Sequence, residues 1–251
     1  MKTHSLVDYL DSYLCLQEHP DYPNALNGLQ VEGPEEVRIL AVAVDASEAV
    51  FQDAAAAHVD VLLVHHGLFW DGLRPLTGHR FRKVRTLVRH GIGLYAAHLP
   101  LDAHPDVGNC ILLARALGLE VTGRFGAYQG CPIGWEGVPA EAERSGLVAR
   151  CEEAVGGPVR LVPGGPERVR RVAVVTGGGG SFIEAAARAG IDTLVTGEGS
   201  HHTFADAHEL GVNVLYGGHY RTETFGVRAL AEHLAGMFHL EWCFLDHPSG
   251  L

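Results

Sequence analysis

Short runs of β-branched and other apolar residues alternate along the chain with alanine-rich stretches whose apolar positions recur at helical spacing. VRILAVAVD (Val37 to Asp45) predicts a strand, the alanine-rich segment after it a helix, and VDVLLVHH (Val59 to His66) a second strand. LYAAHLPLD (Leu94 to Asp102) predicts a third strand, ending in His-x-x-x-acid before another helix. The same order returns later. Val37 to His66 lies without a gap on Val169 to Glu198 at a constant offset of 132, with Val37, Arg38, Ala41, Val42, Ala54, Ala55, Ala57, Asp60 and Leu62 meeting identical residues. LYGGHYRTE (Leu215 to Glu223) matches LYAAHLPLD at offset 121 in Leu, Tyr and His. The chain therefore reads as an internal repeat of βαβ units, an α/β fold whose sheets have parallel strands flanked by helices. Any two βαβ units look alike in Val and Ala, but the paired His-x-x-x-acid endings favour a true repeat. Between the copies, the glycine- and proline-rich GRFGAYQGCPIGWEGVPAEAE, a weakly amphipathic segment and the turn VPGGPE read as a hairpin and helix inside the second unit.

Composition narrows the class. A chain of 251 residues with 47% hydrophobic residues can bury a substantial core in one large or two modest domains. Five scattered cysteines without a CxxC pair read as reduced thiols, and the polar and acidic first turns lack the apolar core of a signal peptide. No apolar run approaches the ~20 residues of a membrane span, so a cytoplasmic protein without a membrane partner is expected. A net charge of -11, with RFRKVR (Arg80 to Arg85) as the only basic cluster, argues against nucleic acid as a partner.

In open α/β sheets, sites gather at the carboxyl ends of strands. Four polar clusters fall there: His65 with His66, His98 with Asp102, TGGGGS (Thr176 to Ser181), and His219 with Glu223. His and carboxylate are ligands of Zn, Mn or Fe. Strand alternation sends His65 and His66 to opposite faces, which speaks against one chelated ion. At a strand end, where Gly67 frees the backbone to turn, the pair could reach two ions about 3.5 to 4 Å apart. His219 and Glu223 can converge as the chain enters a helix, and Asp102, at the matching place of the first copy, could bridge two metals. His98 is either a further ligand or a residue that orients one or transfers protons.

A single strand-end histidine is more often structural than a ligand; several at matching positions of a repeat favour metal. TGGGGS could cradle an anion, although it lacks the P-loop lysine and a plain strand-to-helix turn fits as well. His201 and His202, in GEGSHHTF, could contact substrate or simply start a helix. NGLQVEG (Asn27 to Gly33) reads as a loop. With no GxSxG and no Cys beside a His, nucleophilic catalysis has little support.

NGLQVEG, VDVLLVHHGLFW, LYAAHLPLDAHPDVGN, TGEGSHH and LYGGHYRTETFGVRALAEHL occur in this order, and on them the chain resembles the Nif-three-like family of dinuclear-metal hexamers over nearly its full length. The resemblance implies a toroidal homohexamer whose subunit has two intertwined α/β lobes, residues 1–100 with 222–251 and residues 101–221, with the metal pair in the cleft between them. By motif, the ligands would be His65, His66, Asp102, His219 and Glu223, with His98 beside the pair. Where the family commonly carries Trp-Asp-Asn, this chain has Ala25-Leu26-Asn27, which leaves the role of the missing acid in question. The large insertion of some relatives is absent.

Bacterial members are often described as type 2 GTP cyclohydrolase I. The resemblance thus implies a metal-dependent hydrolase with two divalent ions per subunit, Zn first and Fe or Mn next, acting on a small molecule such as a nucleotide. Hydroxide would attack C8 of the guanine ring of GTP, opening the imidazole and releasing formate, with His98 or His201 moving protons. Two other readings stand beside it: a non-catalytic metal-binding scaffold or regulatory hexamer, and a phosphoesterase acting on small nucleotides. Five ligands over two ions leave positions for water, which favours an enzyme.

Overall fold

Across residues 1–70 and 72–250, which the computed structural model describes, the apolar runs form strands and the alanine-rich stretches form helices. The order is α1 (Thr3–Tyr13), β1 (Gly28–Val31), β2 (Ile39–Asp45), α2 (Glu48–Ala56), β3 (Val61–His66), α3 (Gly78–His90), β4 (Gly93–Ala96) and α4 (Leu99–Ala103). There follow α5 (Asn109–Ala116), β5 (Leu119–Tyr128), β6 (Cys131–Pro139), α6 (Arg144–Val155), β7 (Arg160–Pro163) and β8 (Val172–Val175). The last elements are α7 (Ile183–Arg188), β9 (Thr193–Thr196), α8 (Thr203–Leu210), β10 (Asn213–Tyr216), α9 (His219–Thr222), α10 (Thr224–Phe238) and β11 (Glu241–Phe244). Contacts divide the chain into two units, Met1–Leu101 with Gly226–His247, and Asp102–Phe225 with Pro248–Leu251.

The first unit holds a five-stranded sheet in the order β1-β4-β3-β2-β11, in which β4, β3, β2 and β11 run parallel and β1 is an antiparallel edge. Parallel strands are covered on both faces, so they read as continuous apolar runs; in β2, the five residues Leu40 to Val44 are all buried. Val50, Phe51 and Ala54 of α2 and Leu87 of α3 pack with Leu62, Val64 and Leu94 of the sheet. Ser47 starts α2 by accepting a hydrogen bond from Val50 N at 3.1 Å.

The second unit holds a six-stranded sheet, β5-β6-β8-β9-β10-β7, parallel only at β8-β9-β10. The predicted hairpin is β5 with β6, whose second strand joins β8 antiparallel, and the predicted helix is α6. Strand β7 closes the other edge against β10. Leu113, Leu147, Cys151, Val172, Val174, Val195 and Leu215 form this unit's core.

Hydrogen bonding repeats along with sequence. Asp60 Oδ2 accepts from the backbone N–H of Arg38 and Ile39 at 2.8 and 2.9 Å, and Asp192 Oδ2 accepts from Arg170 and Arg171 at 2.9 and 3.3 Å. Strand pairing corrects the second sequence match. Val61 pairs with Gly93, and its repeat equivalent Thr193 pairs with Asn213, so β4 and β10 correspond at offset 120 rather than 121. The shared Leu-Tyr is one residue out of step with the sheet, and the second copy has one residue more between its strand and its histidine. Among the described residues, no helix is long and apolar enough to cross a membrane.

Candidate metal centre

In the first unit, His65 and His66 close β3 and His98 follows β4, its parallel neighbour, so all three lie at carboxyl ends of strands. One ring nitrogen of each lies within 4.8 Å of the others, an arrangement that could hold a metal ion. The ring centroids of His65 and His66 are only 4.8 Å apart, closer than alternation along a strand predicts. His65 is fully buried, whereas His66 is half-buried. Gly67 contributes room rather than a turn: a Cβ there would lie 2.2 Å from Gln30 Nε2 and 2.8 Å from Ala96 Cβ.

Each ring is held from behind by an oxygen. His65 Nδ1 bonds to the carbonyl of Ala97 at 2.9 Å, His66 Nδ1 to Asp45 Oδ1 at 2.8 Å, and His98 Nδ1 to Asp21 Oδ1 at 2.8 Å. An oxygen acceptor at Nδ1 places the proton there and leaves the lone pair on Nε2, the nitrogen a metal would take.

Asp21 and Asn27 fix His98 further. Asn27 Oδ1 accepts from His98 N, Asn27 Nδ2 donates to Asp21 Oδ2, and Leu99 N donates to the same carboxylate oxygen. Burial works to raise the pKa of Asp21, but the hydrogen bonds from His98 and Asn27 prevail and hold it below the usual carboxylate range. NGLQVEG is therefore more than a loop: its Asn27 joins Asp21, six residues upstream, in holding His98. Trp70 stands edge-on to His98, with centroids 4.5 Å apart, and Tyr22 lies 5.5 Å from the same ring.

In the second unit, His219 opens α9 and Glu223 follows it. His219 Nε2 is 3.2 Å from Glu223 Oε2, and its Nδ1 bonds to Glu198 Oε1 at 2.9 Å. The Glu223 hydrogen bond, with help from Glu198, outweighs burial and raises the His219 pKa to about 9. Asp102 Oδ1 accepts from Asn109 Nδ2 at 2.8 Å and from Thr176 Oγ1 at 2.9 Å, and a carboxylate oxygen of Asp102 lies within 4.8 Å of one of Glu223. Asp102 and Glu223 are both buried.

The glycine loop serves this cluster differently from an anion cradle. Gly177 N donates to Thr222 Oγ1, Gly179 N to Thr196 Oγ1 and Gly180 N to Glu198 O, so three of its N–H groups are already spent within the protein. Gly177, at φ +62°, lies so close to Glu223 that a Cβ would come 2.0 Å from its Oε1. His201 is exposed beside Arg160, Phe204 and Tyr216 and belongs to none of the metal-competent groups among the described residues. Cys110, next to Thr176, is no nucleophile: burial, with the nearby Asp102 carboxylate, pushes its thiol up to about 12.

Sequence reasoning missed Asp21, Asp45 and Glu198, the three acids that orient histidines. One signal was available for two of them. Asp45 ends a predicted strand beside the one that carries His66, and Glu198 takes the place of His66 in the second copy.

The family model Duf34/NIF3 (NGG1p interacting factor 3) matches residues 1–249. A Deinococcus radiodurans protein named GTP cyclohydrolase 1 type 2 homolog is 44% identical over 247 residues, 98% of this chain and 93% of that one. A protein of the same name from Archaeoglobus fulgidus is 42% identical, each chain fully covered. The crystal structure of TTHA1606 from Thermus thermophilus is similar at a TM-score of 0.92, with 45% identity and full coverage of both chains. The chain belongs to the DUF34/NIF3 family.

Proposed function

We propose that this protein is a metal-dependent hydrolase with one dinuclear centre drawn from both units: His65 and His66 from the first, Asp102, His219 and Glu223 from the second. The observation that carries the reading is the shared posture of the histidines: each of His65, His66, His98 and His219 bonds through Nδ1 to an oxygen acceptor. Histidines that bind metals are held in this way, and a core histidine has no need of it at four places. The donor set of imidazole nitrogens and carboxylate oxygens fits zinc, with iron or manganese as alternatives. Chain connectivity supports sharing. The chain passes from one unit to the other between Leu101 and Asp102 and returns between Phe225 and Gly226, beside Asp102 and Glu223.

When bound, the ions would supply Lewis acidity that makes a hydroxide nucleophile available near neutral pH. The chain's own residues would do the rest. Asp45, Glu198 and Ala97 O keep the ligand tautomers; Asn109 and Thr176 set the Asp102 carboxylate; His98, held by Asp21 and Asn27, is placed to move a proton at Nε2. The curated relatives are named GTP cyclohydrolase 1 type 2 homolog, and GTP is the substrate of this reading: one water would add at C8 of guanine and open the imidazole ring to a formamide, and a second would hydrolyse that amide to release formate. The homohexameric ring and cytoplasmic location implied by the family resemblance belong to the same proposal.

Formate release from GTP by the zinc- or manganese-loaded protein, measured against a His65→Ala, His66→Ala double variant, tests the reading. Formate from wild type alone supports it. Phosphate without formate, across a nucleotide panel, would replace it with a phosphoesterase, and neither product would leave a metal-binding scaffold.

A further inference from the structure

The second unit has a cleft of about 520 Å³ whose lining includes Val159, Arg160, Glu198, Tyr216, Gly218 and Arg221. It adjoins the cluster described above through Glu198, which bonds to His219, and through Arg221, which stands in the sequence between His219 and Glu223. Arg160 begins the edge strand β7 and pairs with Tyr216 of β10.

Arg160 is exposed on the cleft, and Arg221 is held beside it without being neutralised. Arg221 is half-buried, and its guanidinium lies against the loop after α6, where a Cβ on Gly157 would come 2.5 Å from the Arg221 Cζ. Among the described residues, its guanidinium makes a long hydrogen bond, 3.5 Å from NH1 to the carbonyl of Pro158. Among the described residues, no carboxylate lies within ion-pair distance of either guanidinium; Glu198, the acid on the lining, is engaged with His219. In a chain of net charge -11, two unneutralised guanidinium groups on one cleft make a local positive field with several donors available. A guanidinium fork matches the paired oxygens of a phosphate and binds it bidentately.

We propose that this cleft binds a phosphate group of the substrate, with Arg160 and Arg221 as its ligands. The inference rests on the reading that His219 and Glu223 belong to the reacting centre. Glycine at 157 is then explained: it lets Arg221 lie against the loop while lining the cleft.

Calorimetry on the metal-loaded protein, with GTP and guanosine as probes, tests it. Wild type is expected to bind GTP at least about tenfold more tightly than guanosine, the worth of one charge-assisted pair. Arg160→Ala and Arg221→Ala should each erase most of that preference while guanosine binding, metal content and thermal melting stay as in wild type. Arg221→Lys should restore part of it. Equal affinity for GTP and guanosine in wild type, or undiminished preference in both alanine variants, would overturn the proposal. The formate assay separates the two ideas. Arginine-dependent GTP binding without formate leaves the phosphate site standing and removes the cyclohydrolase; formate release with unchanged KM in both alanine variants does the reverse.

Discussion

Asp60 and Asp192 stand at matching positions of the repeat and do the same thing: each carboxylate accepts two backbone N–H groups at the start of the neighbouring strand. His66 and Glu198 also stand at matching positions, and they do opposite things. His66 is a candidate ligand whose Nδ1 is held by Asp45, whereas Glu198 is itself the acid that holds a histidine, His219. The equivalent of Asp45 in the second copy is Gly177, which has no side chain and leaves its space to Glu223. Duplication has kept the residues that build the sheet and exchanged the parts of the site. Asp45 and Glu198 each support a histidine, one in either copy, and Asp102 and Glu223, four positions after His98 and His219, are the candidate ligands.

The difference yields graded predictions. The largest effect is expected from the orienting acids. Asp45→Ala and Glu198→Ala should each weaken zinc binding by about 10- to 100-fold, measured by competition with a chromophoric chelator. A loss from only one of them would break the claim that the two copies contribute equivalent supports. A smaller and symmetrical effect belongs to the scaffold. Asp60→Ala and Asp192→Ala should each lower unfolding stability in urea by about 1–3 kcal/mol, the cost of orphaning hydrogen-bonded groups, and leave zinc affinity unchanged. Strongly unequal losses would show that the repeat is no longer symmetrical even in its framework.

Much of this was legible in the sequence because sheet-building leaves a local trace. Runs such as ILAVAVD are apolar since both faces of a central parallel strand are covered, and the strand-end histidines declare themselves at the edge of those runs. The parallel centres of both sheets, the hairpin and α6 followed from the same patterning. The antiparallel edges β1 and β7 did not, since short edge strands have weak periodicity. Register was misread by one residue, because the identical Leu-Tyr of the two copies outweighed an inserted glycine that only strand pairing exposes. Orienting groups were least legible. Asp21 is 77 positions from His98 and reaches it only through the fold, and TGGGGS fitted an anion cradle and a plain turn equally until its N–H groups were found bonded to Thr222, Thr196 and Glu198.

The central claim is that one metal centre is built from both copies, and elemental analysis of two variants tests it most directly. His65→Ala with His66→Ala removes the donors of the first unit; His219→Ala with Glu223→Ala removes those of the second. The account predicts that either pair alone empties the centre of metal while the wild type carries two ions per subunit. If each variant instead keeps one ion, and only the combination of all four substitutions abolishes binding, the units hold separate sites and the shared centre is wrong.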